Sequence, residues 1–374
     1  MSRLLCRRLS KNSVSTSRTD DESVKFILSF GNKSLNLERK TKTMKNLVLP
    51  YRSFRRLPFY LAMEEWAART LPDDEYFFAW RVCPTVICGR NQNISEEVDT
   101  DYCRRQGIDV VRRKSGGGAV YADLDNYMFS YISPGSDVDT IFHRYTAMIV
   151  GMLQSLGIDA EASGRNDILA GNSKIAGNAF YKIGGRSVVH GTMLYSIDVG
   201  RMQRAITPSR AKLESKAVVS VPMRVISLKD CGLDIDIEAF GLYAVRHLCG
   251  QDEYVLSQSD VQEVETIEQS YYDPLFVNGH PRKNLSRTPD IVRKSRIGGV
   301  GEFETAVDID TDGRISALGI WGDFFPIGDI HEGIISRLIG VDYSRDSIAG
   351  AVDRIDTGSI IKGLTKENLL NLLI

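Results

Sequence analysis

Three consecutive glycines, Gly116, Gly117 and Gly118, restrict the fold of this chain more than any other feature of its sequence. Glycine loses more backbone freedom on folding than any other residue, so such a run disfavours the interior of a helix or strand. The run follows a strand-like segment at residues 109–112 and a basic stretch at residues 112–114. Backbone without side chains lets N–H groups approach a phosphate or carboxylate closely, and the basic residues supply a positive field. The sequence therefore predicts an anion-binding loop, with a tight basic hairpin turn as the alternative.

A second group of polar residues lies downstream, at residues 165–168, 173–179 and 189–194. Each segment embeds a chemically capable side chain among small or strand-forming residues. Taken alone, Lys174 is interpreted as a solvated lysine and His190 as a hydrogen-bonded core histidine. Because the segments occur together and follow the glycine run, we expect them to form one functional site.

Length and composition limit the possible domain organisation and the possible classes of function. The chain has 374 residues, of which 43% are hydrophobic, so two folded domains are expected at about 150 residues each. Its 47 basic and 48 acidic residues give a net charge of -1, which excludes a general basic surface for nucleic acid. No apolar run approaches the roughly 20 residues of a membrane-spanning helix. Six scattered cysteines without a C-x-x-C pair favour a reducing compartment.

The first 43 residues have a different character. Residues 1–19 contain arginine, lysine and many serines but no acidic residue, which is typical of an organellar transit peptide. The alternative is a disordered or mis-assigned extension, because Met44 begins a strand-like segment and could itself start the chain. The predicted location is the cytoplasm, or the mitochondrial matrix if residues 1–43 act as a transit peptide.

The rest of the chain mixes short strands and helices without regular βαβ alternation, which predicts an α+β fold. We expect a helix over 61–68, a hairpin over 77–89, strands at 119–121 and 127–132, and a helix over 141–156. These belong to a large unit, residues 44–270. A turn-rich linker, residues 271–290, leads to a small unit, residues 291–374, with a hairpin over 303–321 and three helical segments.

Several common motifs are excluded. The acidic pattern of residues 308–313 resembles the start of an EF-hand loop, but Gly319 stands where a bidentate glutamate is needed. A hairpin turn is the preferred interpretation. The chain has neither a G-x-x-x-x-G-K-[ST] loop nor a Rossmann fingerprint. No cysteine has a motif-level link to a histidine, although Cys83, Cys88 or Cys103 stays open as a nucleophile.

Four ordered motifs resemble those of the lipoate–protein ligase family. The pattern R-R-x-S-G-G-G-x-V-x-H-D-x-G-N falls on residues 112–126, E-A-S-G-R-N-D on 161–167, K-x-x-G-x-A on 174–179 and H-G-T-x-L on 190–194. Weaker similarity extends over residues 89–93 and 212–228. The resemblance covers about residues 45–374 and implies a catalytic domain with mixed and antiparallel sheets flanked by helices, as in biotin and lipoate ligases. The small unit would be an α+β accessory domain.

The resemblance implies a two-step reaction. Lipoate and ATP, with Mg²⁺, give lipoyl-adenylate, and the lipoyl group then passes to a lysine of a lipoyl domain. Lys174 would be the catalytic cation, and Asp167 would be a ligand of Mg²⁺. The residues implied to bind ATP or the adenylate are Arg113, Gly118, Ala119, Val120, Tyr121, Asn166, Asp167 and Lys174. The residues implied to bind lipoate are Ser115, Gly116, Gly117, Lys174 and His190.

The implied partners are lipoate and the apo lipoyl domains of 2-oxoacid dehydrogenase E2 subunits and glycine-cleavage H protein. The enzyme would be a monomer, with no nucleic acid or membrane partner, and its accessory domain would rotate between the two steps. An aliphatic and aromatic tunnel around Val120 and Ile175 would hold the acyl chain. Ala122 and Asp125 replace the family's histidine and glycine, which leaves acyl specificity open. The alternatives are a lipoyl or octanoyl transferase that uses a pre-activated donor, and a non-catalytic lipoate-binding protein.

Overall fold

The computed structural model describes residues 44–51, 54–164, 166–206, 225–278, 285–286 and 288–374. The predicted N-terminal extension, residues 1–43, lies outside the described residues, so both interpretations of it stay predictions. Arg165 and most of the weakly similar segment 212–228 also lie outside them. None of the described helices is both long and apolar enough to cross a bilayer.

Short strands and helices follow one another along the described chain. The strands are β1 (Lys45–Val48), β2 (Tyr76–Trp80), β3 (Thr85–Cys88), β4 (Asp109–Arg112), β5 (Val120–Ala122), β6 (Tyr127–Pro134), β7 (Ala160–Ser163), β8 (Asp167–Ala170), β9 (Ser173–Ile183), β10 (Arg186–Met193), β11 (Glu253–Val255), β12 (Ile291–Ile297), β13 (Gly301–Ile309) and β14 (Ile315–Gly322). The helices are α1 (Leu57–Thr70), α2 (Ile94–Glu97), α3 (Thr100–Gln106), α4 (Val138–Ser155), α5 (Val199–Ala205), α6 (Ile237–Cys249), α7 (Gln258–Glu268), α8 (Pro274–Val277), α9 (Ser336–Leu338), α10 (Arg345–Val352) and α11 (Lys366–Leu373). Two short 3₁₀ helices, Gln269–Tyr272 and Thr357–Ser359, and one π-helical turn, His331–Ile335, complete the described elements.

One large sheet organises the first part of the chain. Its eight strands run in the order β11-β1-β2-β6-β10-β9-β8-β7, and it is mixed, because β1 lies parallel to β2 and β11 while the other pairs are antiparallel. Successive side chains of a strand point to opposite faces, so Phe77 packs with α4 and α6 while Tyr76 and Phe78 pack with α1 and α7. Helices therefore cover both faces of the sheet. The α+β prediction, with a large sheet flanked by helices, is confirmed.

The predicted hairpin over residues 77–89 is wrong. Its two halves form strands, but β2 pairs with β1 and β6 in the large sheet, whereas β3 pairs with β4 and β5 in a separate three-stranded sheet. Every residue of β3 is buried, so partners distant in sequence decide its pairing. This small sheet carries the glycine loop, residues 113–119, between β4 and β5.

Helix α1 presents a buried face on almost every side. Pro58 stands in its first turn, where a missing N–H is tolerated, and residues 57–68 are all buried. The helix lies between the large sheet and α7, so even Glu64 and Glu65 are removed from solvent. Two buried carboxylates in an apolar helix require partners, because an unpaired charge is costly in the interior.

The C-terminal segment has its own core. Strands β12, β13 and β14 form an antiparallel sheet, and buried side chains of β13 and β14 pack with those of α10 and α11. The predicted hairpin over 303–321 is confirmed, and at its turn Asp310 accepts hydrogen bonds from the backbone N–H groups of Asp312 and Arg314. Strand β12 was not predicted, because its five central residues are exposed and lack a clear apolar pattern.

Candidate active site

A narrow pocket opens where the glycine loop approaches the large sheet. Apolar side chains of α1, β2, β3 and β6 form much of its wall, and polar groups of the glycine loop, β9 and β10 complete it. The lining residues are Leu57, Leu61, Trp80, Ile87, Arg113, Gly117, Gly118, Ala119, Val120, Met128, Asn166, Lys174, Gly177, Asn178, Ala179, His190, Gly191 and Thr192. An apolar wall with a few convergent polar groups is the usual form of a small-molecule site.

Arg113 holds the glycine loop from inside. Its Nη2 donates to the carbonyl oxygens of Gly116, at 2.6 Å, and Gly118, at 2.8 Å, and its Nη1 donates to that of Ile87. Its Nε donates to the Ser115 hydroxyl at 2.9 Å. Burial lowers the pKa of the guanidinium to about 10, which leaves it charged at neutral pH. Arg113 therefore organises the loop, and four of its five N–H groups point at protein oxygens.

The loop from β14 into the following segment covers the glycine loop. The Gly117 N–H donates to the carbonyl oxygen of Phe324 at 3.3 Å. The buried ring of Phe325 stacks on Phe180 of β9, with centroids 5.4 Å apart. A Cβ on Gly116 would lie 2.3 Å from the Phe324 oxygen, so glycine is required for this approach. The C-terminal segment thus contacts the backbone that lines the pocket.

Lys174 is the cation at the polar side of the pocket. Its Nζ forms an ion pair with Oδ1 of Asp167 at 2.7 Å, and the side chains are 29% and 15% exposed. A Cβ on Gly177 would lie 2.8 Å from that Nζ, so the glycine of the motif provides the space that the lysine occupies. A partly exposed lysine in this position can reach a bound anion when the ion pair opens.

Two asparagines lock the neighbouring backbone. Asn166 donates through Nδ2 to the Asn178 carbonyl oxygen at 2.9 Å, and Asn178 donates through Nδ2 to the Asn166 carbonyl oxygen at 3.1 Å. A Cβ on Gly191 would lie only 2.0 Å from Oδ1 of Asn178. The small residues of β10 therefore make room for the polar residues of β9.

His190 belongs to a buried hydrogen-bond chain. Its Nδ1 lies 2.9 Å from Glu64 Oε2, and its Nε2 lies 2.7 Å from the Ser115 hydroxyl. An ionised Glu64 only accepts hydrogen bonds, so Nδ1 carries the proton, and the Ser115 hydroxyl donates to Nε2. Ser130 and Tyr181 also donate to Glu64, at 2.5 and 3.2 Å. This series of hydrogen bonds connects the glycine loop to α1 through the pocket wall.

The structure brings most of the predicted site residues together. Eight of them line the pocket: Arg113, Gly117, Gly118, Ala119, Val120, Asn166, Lys174 and His190. Asp167 and Ser115 are not among the lining residues but contact Lys174 and His190 respectively. Gly116 faces the Phe324 carbonyl, and the Tyr121 side chain packs in a hydrophobic cluster around β3, so neither lines the pocket.

The prediction that Ile175 builds the apolar wall is wrong. Ile175 is fully buried in the core cluster that includes Met152 and Leu153 of α4, on the far side of β9. Sequence reasoning also missed Glu64, Trp80 and the two leucines of α1. The sequence did hold one indication that Glu64 is a site residue. It is a carboxylate within the apolar stretch at residues 57–68, and a buried carboxylate needs a partner. Leu57 and Leu61 are spaced i, i+4 and so share one helix face.

The described residues offer no preformed metal cage, since no group of three or more His, Cys, Asp or Glu side chains among them is arranged to hold a metal ion. The four described free cysteines are Cys88, Cys103, Cys231 and Cys249. Burial raises the pKa of Cys88 to about 12 and that of Cys103 to about 11. Both thiols are therefore protonated at neutral pH, and neither lines the pocket.

Comparison with known proteins agrees with this geometry. A model of the lipoyl protein ligase A/B catalytic domain matches residues 57–248, and a model of the bacterial lipoate protein ligase C-terminus matches residues 289–373. Lipoate–protein ligase 1 of Staphylococcus aureus is 34% identical over 323 residues, which cover 84% of this chain and 95% of that protein.

Solved structures share the fold. A bi-partite lipoate–protein ligase from Thermoplasma acidophilum, solved in a study of that ligase and its E2 lipoyl domain, is 26% identical and has a TM-score of 0.56 over 65% of this chain and 100% of that chain. A lipoate–protein ligase A bound with ATP is 26% identical and has a TM-score of 0.54, and the match covers 63% of this chain and 99% of that chain. With both family models matched and a curated relative aligned over nearly its whole length, the chain belongs to the lipoate–protein ligase family.

Proposed function

We propose that this chain is an ATP-dependent lipoate–protein ligase that forms lipoyl-adenylate and transfers the lipoyl group to a lysine of a lipoyl domain. The observation that carries the proposal is the position of Lys174, whose ammonium group lies at the polar side of an apolar pocket and beside the glycine loop. The acceptors are the lipoyl domains of 2-oxoacid dehydrogenase E2 subunits and glycine-cleavage H protein.

The first step brings two anions together. A carboxylate oxygen of lipoate attacks the α-phosphorus of ATP, the bond from that phosphorus to the bridging oxygen breaks, and pyrophosphate leaves. Lys174 would contact both the carboxylate and the α-phosphate, because a fixed cation lowers their repulsion most when charge builds up between them. The N–H groups of residues 118–121 would hold the nucleotide, and Arg113 would keep those groups in place.

The pocket residues would bind the acyl chain. Trp80, Leu61 and Met128 offer an apolar wall for the hydrocarbon and the dithiolane ring. His190, fixed by Glu64 and Ser115, would form the polar part of this wall. Asn166 and Asp167 would face the adenylate.

Asp167 fits a role toward Mg²⁺. Mg²⁺ in nucleotide sites is usually held by one or two carboxylates together with phosphate oxygens, so one carboxylate beside Lys174 suffices. When bound with ATP, the ion would neutralise charge on the phosphates. The carboxylate would then exchange its ion pair with Lys174 for the metal, which frees the ammonium group for the substrate.

The second step needs positioning above all. The neutral amine of the acceptor lysine attacks the carbonyl carbon of lipoyl-adenylate, the bond to AMP breaks, and the amine loses a proton to solvent. AMP is a good leaving group, so holding the amine near the carbonyl supplies much of the acceleration.

The test is the intact mass of an apo E2 lipoyl domain after incubation with the protein, ATP, Mg²⁺ and lipoate. We expect a lipoyl mass gain that requires ATP and falls at least about 100-fold in Lys174→Ala. Lys182→Ala is the matched control, because Lys182 lies on the same strand and is exposed. A domain modified equally well without ATP, or by Lys174→Ala, would refute the ligase mechanism.

The transferase alternative predicts modification from lipoyl-adenylate or an acyl-carrier thioester but never from free lipoate and ATP. A cysteine nucleophile for that reaction finds no support, since none of Cys83, Cys88 and Cys103 lines the pocket. A non-catalytic lipoate-binding protein would retain lipoate without forming adenylate faster than the uncatalysed reaction.

A further inference from the structure

A groove outside the pocket is lined by three arginines. It lies between α3, which contributes Arg105, and α5, which contributes Arg201 and Arg204. The two helices are held together at their ends, where the Asp99 N–H donates to the Ala205 carbonyl oxygen at 3.1 Å. We call this surface the arginine groove.

The three arginines form no close ion pair within the described ranges, although the charge of Arg201 acts on the nearby Asp123 carboxylate. Among residues 44–206 and 225–374, apart from the gaps given above, no carboxylate lies within 4 Å of any of the three guanidinium groups. The neighbouring Arg104, by contrast, pairs with Asp101 at 2.9 Å. Asp198 also lines the groove, but its carboxylate caps α5 by accepting from the Arg201 N–H at 2.9 Å. The groove thus keeps a positive field on a chain whose net charge is -1.

The arginine groove lies close to the pocket. Thr192 lines the pocket and Asp198 lines the groove, and they are only six positions apart in the sequence. Six residues span at most about 20 Å, even when fully extended. A standard protein interface covers about 800 Å² on each partner, which corresponds to a patch roughly 30 Å across. A patch of that width can include both the mouth of the pocket and the groove.

The form of the arginine groove favours a protein partner over a small anion. Arg105 and Arg204 are exposed, whereas a dedicated small-anion site holds its ligand with buried donors. Arginine matches carboxylates with two parallel hydrogen bonds, which suits an acidic protein surface. The substrate lysine is itself a cation that must approach the cation Lys174, so carboxylates elsewhere on the acceptor would offset that repulsion and orient the approach.

On the basis of the proposed function, we propose that the arginine groove docks an acidic surface of the acceptor domain during lipoyl transfer. Arg105, Arg201 and Arg204 pair with carboxylates of that domain and position its lysine over the adenylate. They act on acceptor recognition and leave adenylate formation unchanged.

The experiment compares the wild-type chain with Arg105→Glu/Arg204→Glu. Pre-formed lipoyl-adenylate is the donor and an apo E2 lipoyl domain is the varied substrate. We expect the KM for the domain to rise about 10-fold or more, with kcat within about 3-fold. The wild-type KM should rise between about 0.05 and about 0.3 M salt, and that of the variant should stay nearly flat. The KM of Arg105→Gln/Arg204→Gln should lie between those of the wild type and the glutamate variant.

Two controls separate docking from chemistry and folding. Pyrophosphate release with lipoate and ATP, measured without acceptor, should stay within about 2-fold of wild type in the double variant. Arg246→Glu makes the same charge reversal at a single exposed arginine of α6, half the change of the double variant, and should leave the KM for the domain unchanged. A parallel loss of pyrophosphate release would assign the groove to the nucleotide and overturn the proposal.

A direct binding measurement tests the docking proposal without catalytic turnover. Anisotropy of a labelled apo domain, titrated with the chain in the absence of ATP and lipoate, should show weaker binding in the double variant by the same factor as the KM. Equal affinity for wild type and variant would overturn the docking proposal alone. Absence of adenylate formation by the wild type would overturn the proposed function instead, and the two failures are distinguishable.

Discussion

The Nζ atom of Lys174 lies 2.7 Å from the Oδ1 atom of Asp167, so the proposed catalytic cation is paired with the proposed metal ligand. In this arrangement each charge neutralises the other. Binding of lipoate and Mg-ATP would have to exchange this ion pair for substrate contacts. The Asp167 carboxylate would thereby control when the lysine becomes available.

Replacing Asp167 separates its two roles. Asp167→Asn keeps the size of the side chain but removes the charge, so we expect pyrophosphate release to fall about 100-fold. If the carboxylate holds Mg²⁺, the Mg²⁺ concentration for half-maximal activity should rise several-fold. Titration of Mg²⁺ at fixed ATP measures this. An unchanged Mg²⁺ dependence would restrict Asp167 to positioning Lys174.

Gly191 tests the packing between β10 and β9. In Gly191→Ala the new Cβ would lie 2.0 Å from Asn178 Oδ1, and Asn178 is almost fully buried, so its side chain has nowhere to move. We expect the free energy of unfolding to fall by about 1–3 kcal/mol, as for other overpacked sites. Adenylate formation should fall as well, because Asn178 holds Asn166 at the pocket.

The matched control is Gly151→Ala in α4. A Cβ there meets no atom within 4 Å, and alanine favours a helix interior by about 1 kcal/mol. Urea denaturation of the two variants should therefore shift in opposite directions. Destabilisation by Gly151→Ala equal to that of Gly191→Ala would contradict the packing argument.

Glu64 is the buried end of the series of hydrogen bonds that runs through His190 to Ser115. A glutamine has one acceptor oxygen, so in Glu64→Gln one of the groups that now donate to the carboxylate loses its acceptor. We expect a loss of about 1–3 kcal/mol of unfolding free energy and a several-fold higher KM for lipoate. The ¹⁵N shifts of His190 should show a changed tautomer balance.

Glu65 supplies the comparison for this prediction. It is also buried, but it pairs with Lys114 and Arg69 and does not contact His190. Glu65→Gln should lower stability while the KM for lipoate stays near wild type. If both variants raise that KM equally, Glu64 has only a general structural effect.

Local chemistry made part of the site predictable from sequence. The glycine loop, Lys174 and His190 stood out because three glycines or an isolated polar residue conflict with regular secondary structure unless a ligand or partner compensates. Glu64 and Trp80 did not stand out as site residues. Their roles depend on which buried partners the fold brings to them, and residues 64 and 190 are 126 positions apart.

Long-range pairing also limited prediction of the fold. The helices predicted over 61–68 and 141–156 and the 303–321 hairpin follow from local periodicity and turn residues, whereas helices α6 and α7 were not predicted. The parallel pairing of β1 with β11 joins Asn46 to Glu253, and no local pattern encodes that choice. The error over residues 77–89 has the same origin, because β2 and β3 are neighbours in sequence that join different sheets.

Phe325 links the C-terminal segment to the glycine loop. Its ring is buried against Phe180, and the adjacent Phe324 carbonyl oxygen accepts a hydrogen bond from the Gly117 N–H. Phe325→Ala removes this anchor, and we expect a loss of about 3–5 kcal/mol of unfolding free energy, typical of a buried phenylalanine. Without the hydrogen bond to Gly117, the adjoining N–H groups of residues 118–121 should adapt to the nucleotide more readily, so the KM for ATP in pyrophosphate release should fall several-fold.

Phe303→Ala is the matched control for Phe325→Ala. Phe303 is equally buried and stacks on Phe324, but it lies in the core of the C-terminal segment. Its loss should lower stability without lowering the KM for ATP. A higher KM for ATP in Phe325→Ala would mean that the contact helps to build the nucleotide site, and the Phe324 carbonyl would then act as a support of the glycine loop.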